Sequence, residues 1–316
     1  MTNQWSRWIN FATLLLVNLL WAVQYPAYEI ASRKMGVAIL NFWTLLMAAT
    51  LLAPWWLRSR RSTRVTNHRI TWRSIHEFSV LGVLGILPPS VMLAWGIDRS
   101  SASNAAILSL TIPILMVLMA CFMLGEKLTG LRLASLALGL CGTLLISITD
   151  LKHVSFDHRV LLGNVIILFA GAGSAFYNTY SKDLLSRYSE VEVLLYSYLV
   201  AGLACAVISL AVDRPSFVKA WEADASTWVA IAVLGLLSWG LAMVLWMWVL
   251  NRLEVGQIST SIYLLPVFGV ILSVVTVHDQ ITRSQIMGAV LVLVGTATLT
   301  VFERNVPGEN TQPRPK

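Results

Sequence analysis

Polar and aromatic side chains occur at helical spacing within the first long apolar stretch of the sequence. Trp21, Gln24, Tyr25 and Tyr28 follow an i, i+3, i+4, i+7 pattern, which places them on one face of an α-helix. An indole, an amide and two phenols can stack on a small molecule and exchange hydrogen bonds with it. The pattern therefore predicts a helix face that binds a ligand.

A second stripe repeats the first one 153 residues later, in another apolar stretch. Shifting the first four positions by 153 gives Ser174, Tyr177, Asn178 and Ser181. Polar groups are costly in hydrocarbon unless they face protein or water. We therefore predict that the two stripes face each other across a central cavity, where Ser174, Tyr177 and Asn178 bind substrate. The alternative is that these side chains only bond neighbouring helices, as Asn and Ser often do in bundles.

A third stripe consists of large side chains. Trp239, Met243 and Trp246 stand at i, i+4 and i+7, and both tryptophans lie too deep in their apolar stretch for interfacial anchoring. Cavity lining and core packing explain this stripe equally well. Ser259 and Tyr263, in the ninth apolar stretch, are also assigned to the predicted cavity-facing arc.

Two prolines occupy matching positions, since Pro113 shifted by 153 is Pro266. Proline lacks an N–H group, so the carbonyls of Ser109 and Ile262, four residues earlier, lose their helical donors. In a membrane such a break persists only where neighbouring groups or cavity water satisfy it. We predict that both prolines are hinges, and a plain kink is the alternative.

The carboxylates give a weaker signal. Glu126 and Asp279 also match at a spacing of 153 residues and close two apolar stretches. They could be gate residues or proton carriers, but we favour solvated loops in which they cap the next helices. Glu29 ends the first apolar stretch, where Arg33, one turn later, can pair with it. No carboxylate lies clearly at mid-membrane depth in the sequence, so it does not establish proton coupling.

The composition is that of a membrane protein. Of the 316 residues, 57% are apolar and 12% charged, and the mean hydropathy is +0.70. Soluble domains carry about a quarter charged residues, so a soluble enzyme is excluded. The net charge of +7 comes with basic residues clustered in one membrane-flanking loop, which indicates membrane orientation and not nucleic-acid binding.

Motifs for enzymatic or metal chemistry are absent from the sequence. It contains no glycine-rich phosphate loop, HExxH motif, nucleophile elbow or paired cysteines. The cysteines lie in apolar runs, which predicts buried free thiols. We therefore predict no catalytic residue, no metal site and no cofactor, and the expected partners are a small-molecule substrate and the lipid bilayer.

Ten stretches are long and apolar enough to span a membrane, at roughly 20 residues each. The predicted spans are Ile9–Ile30, Val37–Leu57, Phe78–Ile97, Ala105–Leu124, Leu131–Ile148, Val160–Ser181, Val191–Val212, Trp228–Leu250, Gln257–Val277 and Gln285–Phe302. The fold class is therefore an all-α membrane protein.

The spacing of 153 residues extends over neighbouring spans. It joins Trp95 to Trp248, Arg99 to Arg252 and Gly142-Thr143 to Gly295-Thr296. This register predicts a tandem duplication of five helices, with one repeat over residues 9–149 and the other over 160–302. Because five is odd, the second repeat enters the membrane upside down, the inverted layout of many secondary transporters. The tail, residues 303–316, is predicted to be disordered.

Basic residues fall mainly on one side of the predicted topology. Most of the lysines and arginines lie in the loops on the side of the two termini, including the cluster between the second and third spans. The positive-inside bias therefore predicts cytoplasmic N- and C-termini.

The sequence resembles the EamA-type branch of the drug/metabolite transporter superfamily. The shared features are ten helices, a five-helix duplication, prolines in helices 4 and 9, and the pair Gly125-Glu126 at the end of helix 4. The resemblance spans roughly residues 9–302. It implies a bacterial inner-membrane exporter of amino acids, metabolites or drugs, with a central cavity between helices 1, 3, 4, 6, 8 and 9. The resemblance also supports placing Gln24, Tyr177, Trp246 and Tyr263 at or near this cavity.

Two positions depart from the pattern of that family. The second repeat has His278-Asp279 where the family favours Gly-Glu, and helix 2 reads Asn41-Phe42-Trp43-Thr44 without the family's arginine. Because the matching motifs are diffuse, they identify the family better than the substrate.

These observations favour a secondary exporter of small amphipathic metabolites, such as amino acids, that works by alternating access. Polyspecific efflux of hydrophobic cations is the alternative; the tryptophans support it, and the lack of a buried carboxylate weakens it. An intramembrane enzyme or lipid-handling protein would need clustered His, Asp or Cys at membrane depth. The histidines all lie in or next to predicted loops, which disfavours this third reading.

Overall fold

A computed structural model describes residues 4–61, 71–100, 102–147, 158–215, 220–277 and 282–303. Within these ranges the chain is helical throughout and contains no strand. Nine described helices are long and apolar enough to cross a membrane, and a shorter one of 17 residues lies among them. In chain order, α1 to α10 are Trp5–Ser32, Val37–Arg58, Trp72–Arg99, Asn104–Leu124, Gly130–Ile146, Arg159–Leu184, Glu190–Val212, Ala225–Arg252, Val255–Leu272 and Arg283–Phe302.

Helix α3 begins six residues before the predicted start at Phe78. Thr71 caps its first turn, because its hydroxyl accepts the Ser74 N–H and the Ser74 side chain accepts the Thr71 N–H. Glu77, in the next turn, is buried and accepts hydrogen bonds from Arg187 (2.5 Å) and Tyr188 (3.0 Å). These partners let a charged residue lie inside the helix, which an apolar pattern does not reveal.

Three helices are interrupted near their prolines. Helix α4 stops at Ser109 and resumes at Ile112, immediately before Pro113. Helix α9 passes through a 3₁₀ turn, Thr260–Tyr263, before Pro266. Helix α1 breaks at Val23, three residues before Pro26. Each break follows from the missing N–H and the ring of the proline, which disfavour a continuous helix through the preceding turn.

Four of the described helices contain wider π-helical turns. They are Leu81–Ile86 and Pro88–Met92 in α3, Ala120–Leu124 in α4, Val233–Ala242 in α8 and Thr298–Phe302 in α10. Shifting Leu81 by 153 gives Leu234, so the widened turns of α3 and α8 lie at matching places in the two halves. Such turns change the direction of the side chains that follow them and are frequent at functional sites.

Contacts of the first half recur in the second at the same spacing. Gly82 of α3 packs against Ser197 and Val200 of α7, and its counterpart Gly235 of α8 packs against Thr44 and Met47 of α2. Subtracting 153 from 197 and 200 gives 44 and 47. At each glycine a Cβ would stand within 3.0 Å of the opposing helix, so only glycine permits this approach.

Helices α5 and α10 pack reciprocally in the same way. Gly142 of α5 lies against Gly288 of α10, and Gly295 of α10 lies against Ser135 of α5. Shifting the pair 142 and 288 by +153 and −153 gives 295 and 135. This contact pairs a surface with its own counterpart, as the self-complementary interface of a two-fold arrangement does.

Candidate functional site

A cavity of about 230 Å³ lies between the two halves, at the level of the interruptions in α4 and α9. Its walls come from six helices, α1, α3, α4, α6, α8 and α9. The lining residues are Trp21, Gln24, Gly85, Ile86, Pro89, Ile112, Ser174, Tyr177, Asn178, Trp239, Met243, Trp246, Ile262 and Leu265. None of these lining residues carries a charge.

A hydrogen-bonded chain joins α6 and α8 at the cavity wall. The Trp246 indole N–H donates to the Asn178 side-chain oxygen at 2.6 Å, and the Asn178 amide donates to the Ser174 carbonyl at 2.8 Å. Trp246 is fully buried, and its ring centroid lies 5.0 Å from that of Trp21 on α1. Burial, the hydrogen bond to Asn178 and the ring contact with Trp21 fix the orientation of Trp246. The two indoles therefore form a preformed apolar wall.

The α8 part of the wall also has an aromatic and a flexible side chain, Trp239 and Met243. Trp239 is half-buried, and its carbonyl accepts a hydrogen bond of 2.8 Å from the buried Tyr198 hydroxyl. The two rings also meet edge-on, with centroids 5.8 Å apart. Met243 follows one turn later, where its unbranched thioether can adapt to the shape of a ligand.

Gln24 provides free hydrogen-bond donors and an acceptor in the lining. Its half-buried amide has no hydrogen-bond partner among the described residues, although it borders the cavity. A primary amide offers two donors and one acceptor. Gln24 can therefore bond both a donor and an acceptor of a small molecule.

Two predicted residues of α1 lie outside the lining. The Tyr25 side chain is 55% exposed, and the Tyr28 hydroxyl accepts a hydrogen bond of 3.0 Å from Asn41 of α2. The prediction assumed one continuous helix. The break at Val23 changes the direction of the turns that follow it, so Tyr25 and Tyr28 leave the face of Trp21.

Two predicted residues of α9 also lie outside the lining. Ser259 is fully buried and donates to the Gly256 carbonyl at 2.9 Å. Tyr263 is 1% exposed, packs against Gly139 of α5 and donates to the Leu110 carbonyl at 3.0 Å. The 3₁₀ turn Thr260–Tyr263 changes the helical phase, so Ile262 and Leu265 face the cavity instead.

The prolines flank the cavity but do not line it. Pro113 is buried and Pro266 is half-buried. Hydroxyl groups bond carbonyls at both breaks: Thr111 donates to Leu108 at 2.6 Å, and Thr296 donates to Thr260 at 3.3 Å. These bonds lie at the breaks but reach the carbonyls of Leu108 and Thr260, not those of Ser109 and Ile262 that lose their helical donors.

The sequence analysis missed six of the lining residues: Gly85, Ile86, Pro89, Ile112, Ile262 and Leu265. Five of them are apolar residues within apolar helices, so no contrast in polarity distinguishes them from lipid-facing positions. The pair Pro88-Pro89 inside a predicted span was the available signal. Gly85 allows α3 to approach Tyr177, since a Cβ there would stand 3.0 Å from that side chain.

A buried charge cluster closes one end of the bundle, where α4 and α10 end and α5 and α9 begin. Arg132 of α5 is its centre: Nη1 donates to Glu126 at 3.2 Å, Nε donates to Glu303 at 3.2 Å, and Nη2 donates to Glu254. The side chains of Arg132, Glu126 and Glu303 are 4%, 7% and 8% exposed. One guanidinium therefore holds carboxylates from both halves.

Glu126 does not lie in a solvated loop capping the next helix, and that prediction was wrong. Its carboxylate accepts the backbone N–H groups of Val255 at 2.7 Å and Gly256 at 2.8 Å, at the start of α9. Burial raises its pKa above the ordinary value, although these N–H groups act in the opposite direction. It caps a helix of the other half. Its counterpart Asp279 lies outside the described residues.

Glu29 and Lys182, the residue 153 positions later, have different surroundings. Glu29 and Arg33 form the expected ion pair at 2.6 Å, with both side chains 69% exposed. The position 153 residues later is Lys182, whose ammonium donates to the Leu250 and Leu253 carbonyls at 2.7 and 2.9 Å. A lysine thus caps the end of α8 on the side of the charge cluster.

Glu303, at the end of α10, was predicted to be the first residue of a disordered tail. Glu303 instead accepts hydrogen bonds from Thr129 and Arg132 and is 9% exposed. Residues 304–316 lie outside the described ranges. Within the searched part of the chain, His, Cys, Asp and Glu form no cluster able to hold a metal ion.

Long apolar helices packed around an uncharged, partly polar interior cavity define a multi-pass membrane protein of the transporter class. The sequence profile of the EamA-like transporter family matches residues 8–148 and again 161–301. The chain therefore belongs to the EamA-like transporter family, and it is a transporter and not an enzyme.

Three relatives are similar to the chain over more than half of their length. The chain is 26% identical over 287 residues to a probable terminal-alkyne amino-acid exporter of Streptantibioticus cattleyicolor, covering 89% of this chain and 90% of the relative. It is 23% identical over 284 residues to the uncharacterized transporter YoaV of Bacillus subtilis, covering 89% and 93%. A probable amino-acid metabolite efflux pump of Escherichia coli is 25% identical over 184 residues, covering 57% and 60%.

A crystal structure of a similar chain agrees in fold. It superposes with a TM-score of 0.78 at 19% identity, covering 95% of this chain and 98% of the other. At this identity the likeness extends to the fold alone.

Proposed function

We propose that this chain is a secondary exporter of small amphipathic metabolites, such as amino acids, across a bacterial inner membrane. The observation that carries the proposal is the uncharged cavity between the halves, with an indole wall on one side and the Gln24 amide on its border. Indoles stack on apolar or aromatic parts of a solute, and the amide bonds its polar groups. We propose that Trp21, Gln24, Ser174, Tyr177, Asn178, Trp239, Met243 and Trp246 contact the substrate.

The size of the cavity favours small solutes. A volume of about 230 Å³ is below the roughly 300–1,000 Å³ typical of sites for drug-sized ligands. Polyspecific efflux of hydrophobic cations is the second candidate, and the three tryptophans of the lining favour it. An organic cation buried in this cavity would meet no carboxylate among the described lining residues. We therefore rank this candidate second.

We propose that the two halves, residues 9–149 and 160–302, are inverted repeats of five spans each. The short helix α5, Gly130–Ile146, then also crosses the membrane and brings the number of spans to ten. The reciprocal contacts of Gly82 and Gly235, and of Gly142 and Gly295, support a pseudo-two-fold relation. At 1.5 Å per residue, a helix of 17 residues is about 26 Å long, close to the hydrocarbon thickness of about 30 Å.

We propose that transport proceeds by alternating access, with Pro113 and Pro266 as hinges in α4 and α9. The charge cluster closes the end at which α4 meets α9, and the positive-inside bias assigns this end, with both termini, to the cytoplasm. The described conformation is then closed toward the cytoplasm.

Flux from reconstituted vesicles tests this function. Proteoliposomes are loaded with a panel of radiolabelled amino acids, related metabolites and cationic dyes, and release is compared with that from empty liposomes. We expect protein-dependent release of a small uncharged or zwitterionic solute. Release of dyes alone would support the second candidate, and no protein-dependent flux of any solute would contradict both.

A further inference from the structure

A second cavity lies at the end of the bundle that carries the charge cluster, outside the central cavity. Its volume is about 240 Å³, and it opens between the start of α1 and the ends of α8 and α10. The lining residues are Ser6, Arg7, Asn10, Arg252, Leu253, Thr300 and Glu303. The central cavity shares none of these residues, so this cavity needs its own explanation.

Two of the lining side chains are buried without a partner. Asn10 is 4% exposed and Thr300 is 3% exposed, and neither the Asn10 side-chain oxygen nor the Thr300 hydroxyl has a hydrogen-bond partner among the described residues. A buried polar atom without a hydrogen-bond partner destabilises the fold. A bound molecule with hydroxyl groups would give both atoms a partner.

The charges of the second cavity favour an anion. Its lining carries two guanidinium groups, Arg7 and Arg252, against one carboxylate, Glu303, which accepts hydrogen bonds from Arg132 and Thr129 outside the cavity lining. Arg7 uses one nitrogen on the Val301 carbonyl at 3.1 Å, and Arg252 uses one on the Trp248 carbonyl at 2.8 Å. Both guanidinium groups keep further N–H donors, which suit the oxygens of a phosphate.

The surroundings place this cavity at the membrane surface. Trp5 and Trp8, on the same first turns of α1 as Arg7, are 72% and 46% exposed. Tryptophans at span ends sit at the depth of lipid headgroups. A basic pocket between transmembrane helices at this depth is a typical headgroup site.

The other half of the chain is packed differently at the matching place. Subtracting 153 from Arg252 gives Arg99, which bonds the Trp95 carbonyl at 2.9 Å as Arg252 bonds Trp248. Adding 153 to Asn10 gives Gly163, where a Cβ would stand 2.7 Å from the Gly96 carbonyl and 2.8 Å from Ser100. The space beside Arg252 is therefore filled beside Arg99, and Arg99 is a matched control.

We propose that the second cavity binds the headgroup of an anionic phospholipid. Arg7 and Arg252 bond the phosphate, and Asn10 and Thr300 bond the headgroup hydroxyls. The occupied cavity would link α1, α8 and α10 beside the charge cluster.

Lipid binding to the full chain tests this assignment. Native mass spectrometry in detergent measures binding of phosphatidylglycerol and phosphatidylcholine to wild type, Arg252→Ala, Asn10→Ala and Arg99→Ala. We expect wild type and Arg99→Ala to prefer phosphatidylglycerol. Arg252→Ala should bind it roughly tenfold more weakly, because it loses a bond to the charged phosphate. Asn10→Ala should bind it about threefold more weakly, because it loses a bond to an uncharged hydroxyl.

Three outcomes would overturn the proposal. The first is equal affinity of wild type and Arg252→Ala for phosphatidylglycerol. The second is a loss in Arg252→Ala and Arg99→Ala alike, which would mean attraction by surface charge without a pocket. The third is displacement of the lipid by equimolar glycerol phosphate, which would assign the cavity to a soluble phosphate ester. Thermal unfolding of each variant without added lipid verifies that it is folded.

Discussion

Trp246 is the lining residue whose position is most strongly fixed, by its bond to Asn178 and its contact with Trp21. Replacing it with phenylalanine keeps an aromatic ring but leaves the Asn178 oxygen without its donor, at a cost of roughly 1–3 kcal/mol. We expect Trp246→Phe to raise the half-saturating substrate concentration by about tenfold. Concentration-dependent flux in proteoliposomes measures the change.

Trp72 is the matched position for that substitution, because its side chain is 86% exposed at the start of α3. Trp72→Phe should leave the half-saturating concentration unchanged. An unchanged value for Trp246→Phe as well would remove Trp246 from the proposed substrate contacts.

Gly139 and Gly130 allow a comparison within α5. A Cβ at Gly139 would overlap the ring of the buried Tyr263, whereas none of the described atoms lies within 4 Å of a Cβ at Gly130. Gly139→Ala should destabilise the protein by about 1–3 kcal/mol, as overpacked cores do. Gly130→Ala should be neutral or stabilise it by up to about 1 kcal/mol, since alanine favours the helix. Thermal unfolding in detergent measures both, and equal midpoints would contradict the close contact.

Which site residues the sequence could predict depends on helix continuity. Ser174, Tyr177 and Asn178 lie on the uninterrupted α6, and all three border the cavity, as helical spacing predicts. Tyr25 and Tyr263 lie beyond a break or inside a 3₁₀ turn, and both leave the lining. Spacing predicts the lining reliably while the helical phase is kept. Beyond a break, tertiary packing decides: Gln24 stays in the lining and Tyr25 leaves it.

The interrupted helices α4 and α9 meet at their breaks. Tyr263 donates to the carbonyl of Leu110, and these two positions are themselves 153 residues apart. A contact between counterparts is expected on the axis of the proposed pseudo-two-fold relation. It supports our proposal that the two breaks act as hinges that move relative to each other.

Pro113→Ala tests the hinge in α4. Alanine restores an N–H donor for the Ser109 carbonyl and permits a continuous helix. We expect transport turnover to fall by at least about threefold, since hinge changes commonly slow the conformational step. Substrate-induced thermal stabilisation should remain. Initial flux rates and thermal shifts measure the two effects.

Pro54, inside α2 and outside the lining, is the control for that substitution. Pro54→Ala removes a proline from a transmembrane helix without touching the breaks. Equal turnover for both variants and wild type would contradict a hinge at Pro113.

Across the entire protein, the charge cluster joins both halves at one end. Removing Arg132 leaves buried carboxylates without their cation, which costs about 3–5 kcal/mol. Arg33→Gln breaks an ion pair that is 69% exposed on both sides, and such pairs contribute at most about 1 kcal/mol. We expect Arg132→Gln to lower the unfolding midpoint strongly and Arg33→Gln to leave it nearly unchanged.

The deficit of Arg132→Gln should depend on pH. Burial already raises the pKa of Glu126, and loss of the arginine removes one influence that lowers it. A raised carboxyl pKa means that the folded protein holds the proton more tightly than the unfolded chain does. Its stabilising effect is present below the ordinary pKa and disappears as the pH rises through the raised value. The deficit should therefore be smallest in acid, and a pH-independent deficit would contradict this account.

The architecture was more predictable than the cluster that closes it. A spacing of 153 residues and a series of apolar stretches predicted an all-helical membrane protein built from two repeats. Arg132 and Glu254 are 122 residues apart, and no periodicity connects them. Charges near span ends look like loop residues in a sequence, because only the packed structure reveals which of them are buried together.

Alternating access predicts that the central cavity opens to either side of the membrane. Ser174→Cys, in a chain whose Cys121, Cys141 and Cys205 are replaced by alanine, places one thiol in the cavity wall. A membrane-impermeant maleimide should label it from the outside of right-side-out vesicles, because the charge cluster closes the end that we propose is cytoplasmic. Adding Arg132→Gln should raise labelling in inverted vesicles at least about threefold, since a ligand or mutation shifts populations by its differential effect on the two states. Equal labelling from both sides in both backgrounds would mean an open pore. No labelling from either side would mean that the cavity stays closed. Either result would contradict alternating access.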